Sequence, residues 1–392
     1  MAIDGIRSKR TLAAIGLLAA IAFTLPLSAA GKTAARQITT ESSAEKEEMC
    51  NPSLSAQPDQ EQLERNLRAA REEAQRQVDS GLIQGAVFAR LDAPGRIIAV
   101  GSQTAHQPRP MTTNSRFDMA SCGKVMTAGC CALLIAQGRL DPDAPFTKYY
   151  PEHALGANCD ITIRDLAMHV SGFSNRKPYH SSDREVFFRE IAAMMPERPR
   201  GEVHEYSCYN LILLGLILNR ITGKDLDTLS RELIWEPLGM THTTWNEPGP
   251  GPDEVEHWFP NRPVGLHNDA VCRDCGFPLG SGSFFSTAGD MLLFLQDIVD
   301  RKHFPAIYYE LITRCAFEKD GERRSFGWDM SKASQPRNFT ENTISHSGYT
   351  GQTIFVDPST GRGGVVLTSR TGDWDEAYNG RIRIMELLYG LP

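Results

Sequence analysis

A serine followed three positions later by a lysine is the shortest pattern in this 392-residue chain that can do chemistry. A serine hydroxyl is a weak nucleophile, and an amine held in a dry pocket beside it can take its proton as it attacks a carbonyl. The spacing occurs as Ser43 with Lys46, Ser121 with Lys124 and Ser174 with Lys177. Ser43 lies in a stretch rich in Ser, Thr, Glu and Lys, and Ser174 stands between Gly172 and Pro178, so no helix fixes the lysine in either case. Ser121 instead opens an apolar helical run from Val125 to Gln137 that Gly138 stops, which places Lys124 about one turn along the same face. The positive end of that helix favours an oxyanion there. The competing structural role for Ser121 is a plain helix N-cap.

Other patterns fail on one position each. His204-Glu205-Tyr206-Ser207-Cys208 begins like the HExxH zinc motif but ends in cysteine. Cys272 and Cys275 form a CxxC near His267 and Asp269, but no second CxxC follows, which favours a surface disulfide or free thiols over a metal site. No GxSxG occurs, so nothing points to the nucleophile elbow of the alpha/beta hydrolases. His169-Val170-Ser171-Gly172 reads as a turn between helices. No cofactor or metal is expected. The 41 Lys and Arg against 48 Asp and Glu leave a net charge of -7, with no basic cluster, which excludes a nucleic-acid partner.

These residues must be carried by a folded domain, and the chain divides accordingly. Arg7, Lys9 and Arg10, the 16-residue apolar run Leu12 to Leu27 and the small Ser28-Ala29-Ala30 read as an export signal over 1–30. The run is shorter than the ~20 residues of a spanning helix, so cleavage is expected; membrane association would come only through an uncleaved segment. Export predicts a periplasmic or secreted protein. Nine cysteines is an odd number, so at least one thiol stays free or pairs with another molecule. Residues 31–58 read as a flexible linker, and 59–392 as the functional domain.

Within that domain, Leu63, Leu67, Ala70, Ala74 and Val78 predict an amphipathic helix ended by Gly81. Gly85 to Arg90 and Arg96 to Val100 flank Asp92-Ala93-Pro94-Gly95 and predict a hairpin. A helix is predicted over Leu211 to Ile221, strands over Thr353 to Val356 and Gly364 to Thr368, and a closing helix over Ala377 to Tyr389. The expected fold is α+β: an antiparallel sheet built from N- and C-terminal strands with flanking helices, and a helical subdomain inserted at roughly 140–300.

Phe117-Asp118-Met119-Ala120-Ser121-Cys122-Gly123-Lys124 resembles the nucleophile motif of the serine beta-lactamase-related family, which includes class C beta-lactamases, D-alanyl-D-alanine carboxypeptidases, D-aminopeptidases and related esterases. Further segments resemble family signatures in the same order: Gly138 to Asp143, Ile161 to Leu166 leading to His169 to Gly172, Glu236 to Met240, and Phe285 to Asp290. The resemblance runs from about Leu63 to the C-terminus and implies a beta-lactamase/transpeptidase-like fold. The family's Tyr-x-Asn motif falls on Tyr206-Ser207-Cys208, with cysteine where asparagine is usual; Tyr209 is the nearby alternative, wrongly spaced to Gly215.

By this resemblance Tyr206 works with Lys124 as general base toward Ser121, and which of the two takes the proton stays open. The third motif falls on His346-Ser347-Gly348, where histidine resembles the peptidase and esterase branches. It implies that His346 bonds toward Tyr206 or the substrate, that Cys208, Ser347, Gly348 and Tyr349 bind substrate, and that the N–H groups of Ser121 and Tyr349 form the oxyanion hole. It also brings Cys122 and Cys208 near the pocket, where they could pair with each other. The expected function is an exported serine hydrolase cleaving an ester or amide of a small molecule or peptide, of esterase or D-amino-acid peptidase type. The alternatives are a class C-like beta-lactamase, and a penicillin-binding sensor or scaffold that acylates without efficient turnover.

Overall fold

A computed structural model describes residues 59–105, 108–175, 183–256 and 264–391. The export signal, the linker, Cys50, the Ser43–Lys46 pair and Lys177 lie outside the described residues.

Among the described residues ten strands are formed: β1 (Ile83–Arg90), β2 (Ile98–Gly101), β3 (Phe117–Asp118), β4 (Phe285–Ser286), β5 (Phe317–Lys319), β6 (Glu322–Ser325), β7 (Trp328–Asp329), β8 (Ile344–Ser347), β9 (Gln352–Asp357) and β10 (Arg362–Arg370). Eight make one antiparallel sheet in the order β2-β1-β10-β9-β8-β7-β6-β5, and β3 pairs with β4 in a ladder of its own. The first strand therefore lies beside the last, with Val87 opposite Leu367 and Phe88 opposite Val366. This is the α+β architecture with a sheet closed by both ends of the chain.

Alternation along the strands explains why the sheet is covered on both faces. Ala86 and Phe88 of β1, Phe355 of β9 and Val366 of β10 pack with Leu63, Leu67 and Ala70 of helix Gln60–Asp79 and with Ile384 and Leu388 of helix Trp374–Leu388. Their neighbours Val87, Ala89, Ile354, Val365 and Leu367 point to the other side, where they join Met126, Leu295 and Ile298. Each such Val, Leu, Ile, Phe or Met side chain contributes about 1.5–3 kcal/mol on burial. The second layer holds helices Gly123–Ala136, Cys208–Thr222 and Ala288–Asp300, whose buried residues join this core.

The sequence predicts four strands of this sheet and overlooks β5 to β8. Their residues are short polar runs such as Glu322-Arg323-Arg324-Ser325, with no apolar alternation, and they pair at the open side of the sheet. The ladder between β8 and β9 sets Ser347 opposite Thr353 and His346 opposite Ile354.

Candidate active site

Ser121 does not cap a helix. Ala120 to Cys122 form a 3-10 turn that leads into helix Gly123–Ala136, and the serine side chain bonds to no capping amide. Asp118 builds this turn: its Oδ1 accepts the Ala120 N–H at 2.7 Å, and its Oδ2 accepts the Asn268 N–H at 2.7 Å. The turn holds Ala120 at φ +44°, a left-handed conformation unusual for a residue with a Cβ. Two glycines let the neighbouring chain close on it. A Cβ on Gly348 would stand 2.5 Å from the Met119 carbonyl oxygen, and one on Gly282 2.9 Å from that of Ala120.

Three side chains converge on the resulting apex. Ser121 Oγ lies 3.1 Å from Lys124 Nζ and 2.8 Å from the Tyr206 hydroxyl. Lys124 is fully buried, donates to the Ser281 carbonyl as well, and sits 4.9 Å from the centre of the Tyr206 ring. Ser121, Tyr206, His346, Ser347 and Tyr349 line an open cavity of about 320 Å³.

Tyr206 is positioned by a network behind it. His169, itself at φ +58°, packs its ring 4.8 Å from that of Tyr206. Its Nδ1 accepts the Ser207 N–H at 3.2 Å and faces Asn210 Nδ2 at 3.2 Å, so the network assigns its proton to Nε2. Ser171 Oγ donates to Asn210 Oδ1, and Asn175 Oδ1 accepts the Cys208 N–H at 2.9 Å. The turn containing His169 thus does more than join helices: it aims the phenol.

Burial and neighbouring charge set the electrostatics. Burial works against the Lys124 ammonium, but Cys208 and Tyr206 beside it outweigh that and hold the amine above its ordinary value. Burial raises the Tyr206 phenol in spite of the pull of Lys124. His346 is pushed down to about 3 by burial and then by Lys124 and Arg324, so the imidazole is neutral. Its Nδ1 lies 3.1 Å from the Ser347 carbonyl, and its ring centre 6.5 Å from that of Tyr206.

The remaining sequence candidates fall as follows. Cys208 begins helix Cys208–Thr222, half-buried and an electrostatic neighbour of Lys124, but it is not part of the cavity wall. Gly348 serves the turn that carries Ser121. The pairing of Cys122 with Cys208 is overturned: both thiols are free, and Cys122 is fully buried with its Sγ 3.5 Å from the His346 carbonyl. Cys272 and Cys275 are buried free thiols rather than a surface pair. Near them His267 Nε2 bonds the Trp245 carbonyl and Asp269 caps helix Ala270–Cys275. Among the described residues, no cluster is arranged to hold a metal ion, and no helix is long and apolar enough to cross a membrane.

The sequence reading missed Arg324, Asp329, Ser334, Ser345, Trp374 and Tyr378, which complete the cavity. Glu322 and Asp329 flank the Arg324 guanidinium at 2.8 and 3.5 Å. Trp374 stacks on Tyr349 with centroids 5.5 Å apart. No short motif marks these residues, because they converge through sheet pairing and the docking of the last helix.

Comparison with known proteins supplies the family. The family model described as Beta-lactamase matches residues 68–387. A relative from Escherichia coli (strain K12), named "Putative D-alanyl-D-alanine carboxypeptidase", is 28% identical over 66% of this chain and 70% of its own. Among solved structures, EstCE1, a hydrolase with promiscuous acyltransferase activity, superposes with TM-score 0.68 at 22% identity, over 84% of this chain and 99% of that one. A class C beta-lactamase superposes with TM-score 0.70 at 17% identity, over 83% and 98%. With the family model spanning most of its length and the fold shared over 83% of it, the chain belongs to the beta-lactamase family of serine hydrolases.

Proposed function

We propose that the chain hydrolyses an ester or amide through an acyl-enzyme on Ser121, as an esterase or D-amino-acid peptidase of carboxypeptidase type. One observation carries this reading: a hydroxyl at the mouth of an open cavity, 3.1 Å from a buried amine and 2.8 Å from a phenol. The names of the Escherichia coli relative and of EstCE1 support the substrate class. Positions 1–30 support action outside the cytoplasm.

In the first step Ser121 Oγ attacks the carbonyl carbon, and its proton passes to Tyr206. The Lys124 ammonium holds Tyr206 as the phenolate that accepts this proton and becomes the phenol. The negative oxygen is received by the N–H groups of Ser121 and Tyr349, and losing one such donor typically costs ~3 kcal/mol of transition-state stabilisation. Tyr206 then returns its proton to the leaving group, and in the second step draws one from the attacking water and gives it to Ser121 Oγ as the acyl bond to the serine breaks. His346, neutral and on the wall beside Tyr206, serves as a hydrogen-bonding group rather than a charge.

The thiol of Cys208 next to Lys124, where relatives place an amide, favours a second reading: a protein that acylates and releases slowly, since a thiol bonds polar groups poorly. Intact mass over time separates the two, because an enzyme returns to its free mass and a sensor keeps the adduct. The test of the nucleophile itself is Ser121→Ala. The variant is expected to stay folded and to lose all covalent labelling by a fluorophosphonate probe; unchanged labelling overturns the assignment.

A further inference from the structure

A second cavity lies along the helix that begins at Cys208. It holds about 570 Å³, larger than the cavity at Ser121 and within the range of small-molecule sites, and the two share no lining residue. Helix Cys208–Thr222 supplies Leu216 and Arg220, which stand roughly 12–18 Å along its axis from Cys208. Helix Arg184–Ala193 supplies Arg184, Phe188 and Arg189, and Phe277 comes from the segment after helix Ala270–Cys275. Gly215 lets that segment lie against the longer helix, since a Cβ there would stand 2.6 Å from the Leu279 carbonyl oxygen.

The lining combines aromatic rings with uncommitted polar groups. Phe188 stacks on Phe277 with centroids 5.8 Å apart, and the Arg184 guanidinium lies 4.5 Å from the centre of Phe277 and 5.6 Å from that of Phe188. A guanidinium held on rings keeps its N–H fork for a planar anion. Among the described residues no carboxylate pairs with Arg184 or Arg189. The carboxylates of the wall are engaged elsewhere: Glu152 accepts from Arg220 at 2.6 Å, and Asp225 accepts the Thr228 N–H at 2.8 Å. Tyr150 is a second, independent sign of a ligand. It is only 6% exposed and lines the cavity, yet its hydroxyl bonds to no described residue. Burial and then Glu152 push the phenol up to about 12, so at neutral pH it is a donor. A buried donor left unmade is costly, and an acceptor bound in the cavity offsets that cost.

We propose that this cavity is a second binding site, separate from Ser121, for a small aromatic carboxylate: its rings lie against Phe188, Phe277 and Leu216, its carboxylate meets Arg184, and a further oxygen accepts from Tyr150. The inference does not depend on the assignment of the nucleophile. Calorimetric titration of the full chain with 6-hydroxy-2-naphthoate, which carries all three features, tests it. One molecule is expected to bind per chain, equally well in Ser121→Ala, with the uncharged 6-hydroxy-2-naphthamide about tenfold weaker. Arg184→Gln should weaken the carboxylate about tenfold and leave the amide unchanged, Tyr150→Phe should weaken both alike, and Leu216→Trp should fill the cavity and abolish binding. Melting curves check that each variant is folded, and Arg184, on the surface, decides the matter if a buried variant does not fold. Absence of binding at millimolar concentration overturns the inference, as does equal affinity for acid and amide. So does unchanged affinity in any folded variant of Arg184, Tyr150 or Leu216. Loss of binding in Ser121→Ala places the probe in the first cavity and overturns it too.

Discussion

The two walls of the cavity are built on different terms. On the helical side, Ser121, Lys124 and Tyr206 are joined by hydrogen bonds of 3.1 and 2.8 Å, and the lysine beneath is wholly shielded from solvent. On the sheet side, Ser347, Tyr349, Arg324, Trp374 and Tyr378 come from β6, β8, the loop after it and the final helix, and they offer hydroxyls, rings and one cation. On the proposed mechanism, the contrast separates a wall that moves protons from a wall that meets the rest of the substrate. Short motifs hold the first together, and strand register holds the second.

Breaking the helical wall should give the largest effects. Tyr206→Phe removes the phenolic oxygen while keeping the ring against His169, and turnover is expected to fall about 10²- to 10⁴-fold with little change in melting temperature, measured on a p-nitrophenyl ester. Gly348→Ala probes the seam between the walls. The added methyl would press on the Met119 carbonyl and shift the nucleophile turn, so turnover should fall about 10²-fold in a folded protein.

The pH responses sharpen the comparison further. Lys124 and Tyr206 are both held above their ordinary values, so the base form of the pair grows as pH rises. Accordingly, kcat/KM is expected to climb from about pH 6 to about pH 9 rather than peak near neutrality; a profile that falls across that range contradicts the pairing. Stability should respond at the opposite end. His346 is held at about 3 and His153 and His204 at about 4, each chiefly by burial, whereas an unfolded chain binds these protons near pH 6.5. The native state is therefore fully favoured above about pH 6.5 and loses stability as pH falls toward 4. Thermal melting across that window checks the sign, and a melting temperature that rises on acidification counts against buried neutral imidazoles.

What the sequence made legible follows the same division. Ser121 and Lys124 are three positions apart on one run, and Tyr206 is placed by the apolar helix after it, so spacing and resemblance reach them. The long strands β1, β9 and β10 show themselves through continuous apolar runs between turn residues. β6 shows nothing of the kind, because Glu322 to Ser325 are polar and form a strand through tertiary pairing alone. Arg381 reads as one more cation in a helix of mixed polarity, and only the docking of that helix on the sheet reveals that it is buried. His169 is visible as a turn, but its contact with Tyr206 joins segments 37 positions apart in the chain, beyond the reach of local pattern. The paired thiols fail because adjacency in sequence says nothing about direction: Cys122 points into the core while Ser121 points out.

The most direct measurement is peptide mapping of the adduct left by a fluorophosphonate on the intact protein. The account expects the added mass on the Ser121 hydroxyl and nowhere else, with the Cys208 thiol unmodified. An adduct on any other side chain, with Ser121 untouched, contradicts it.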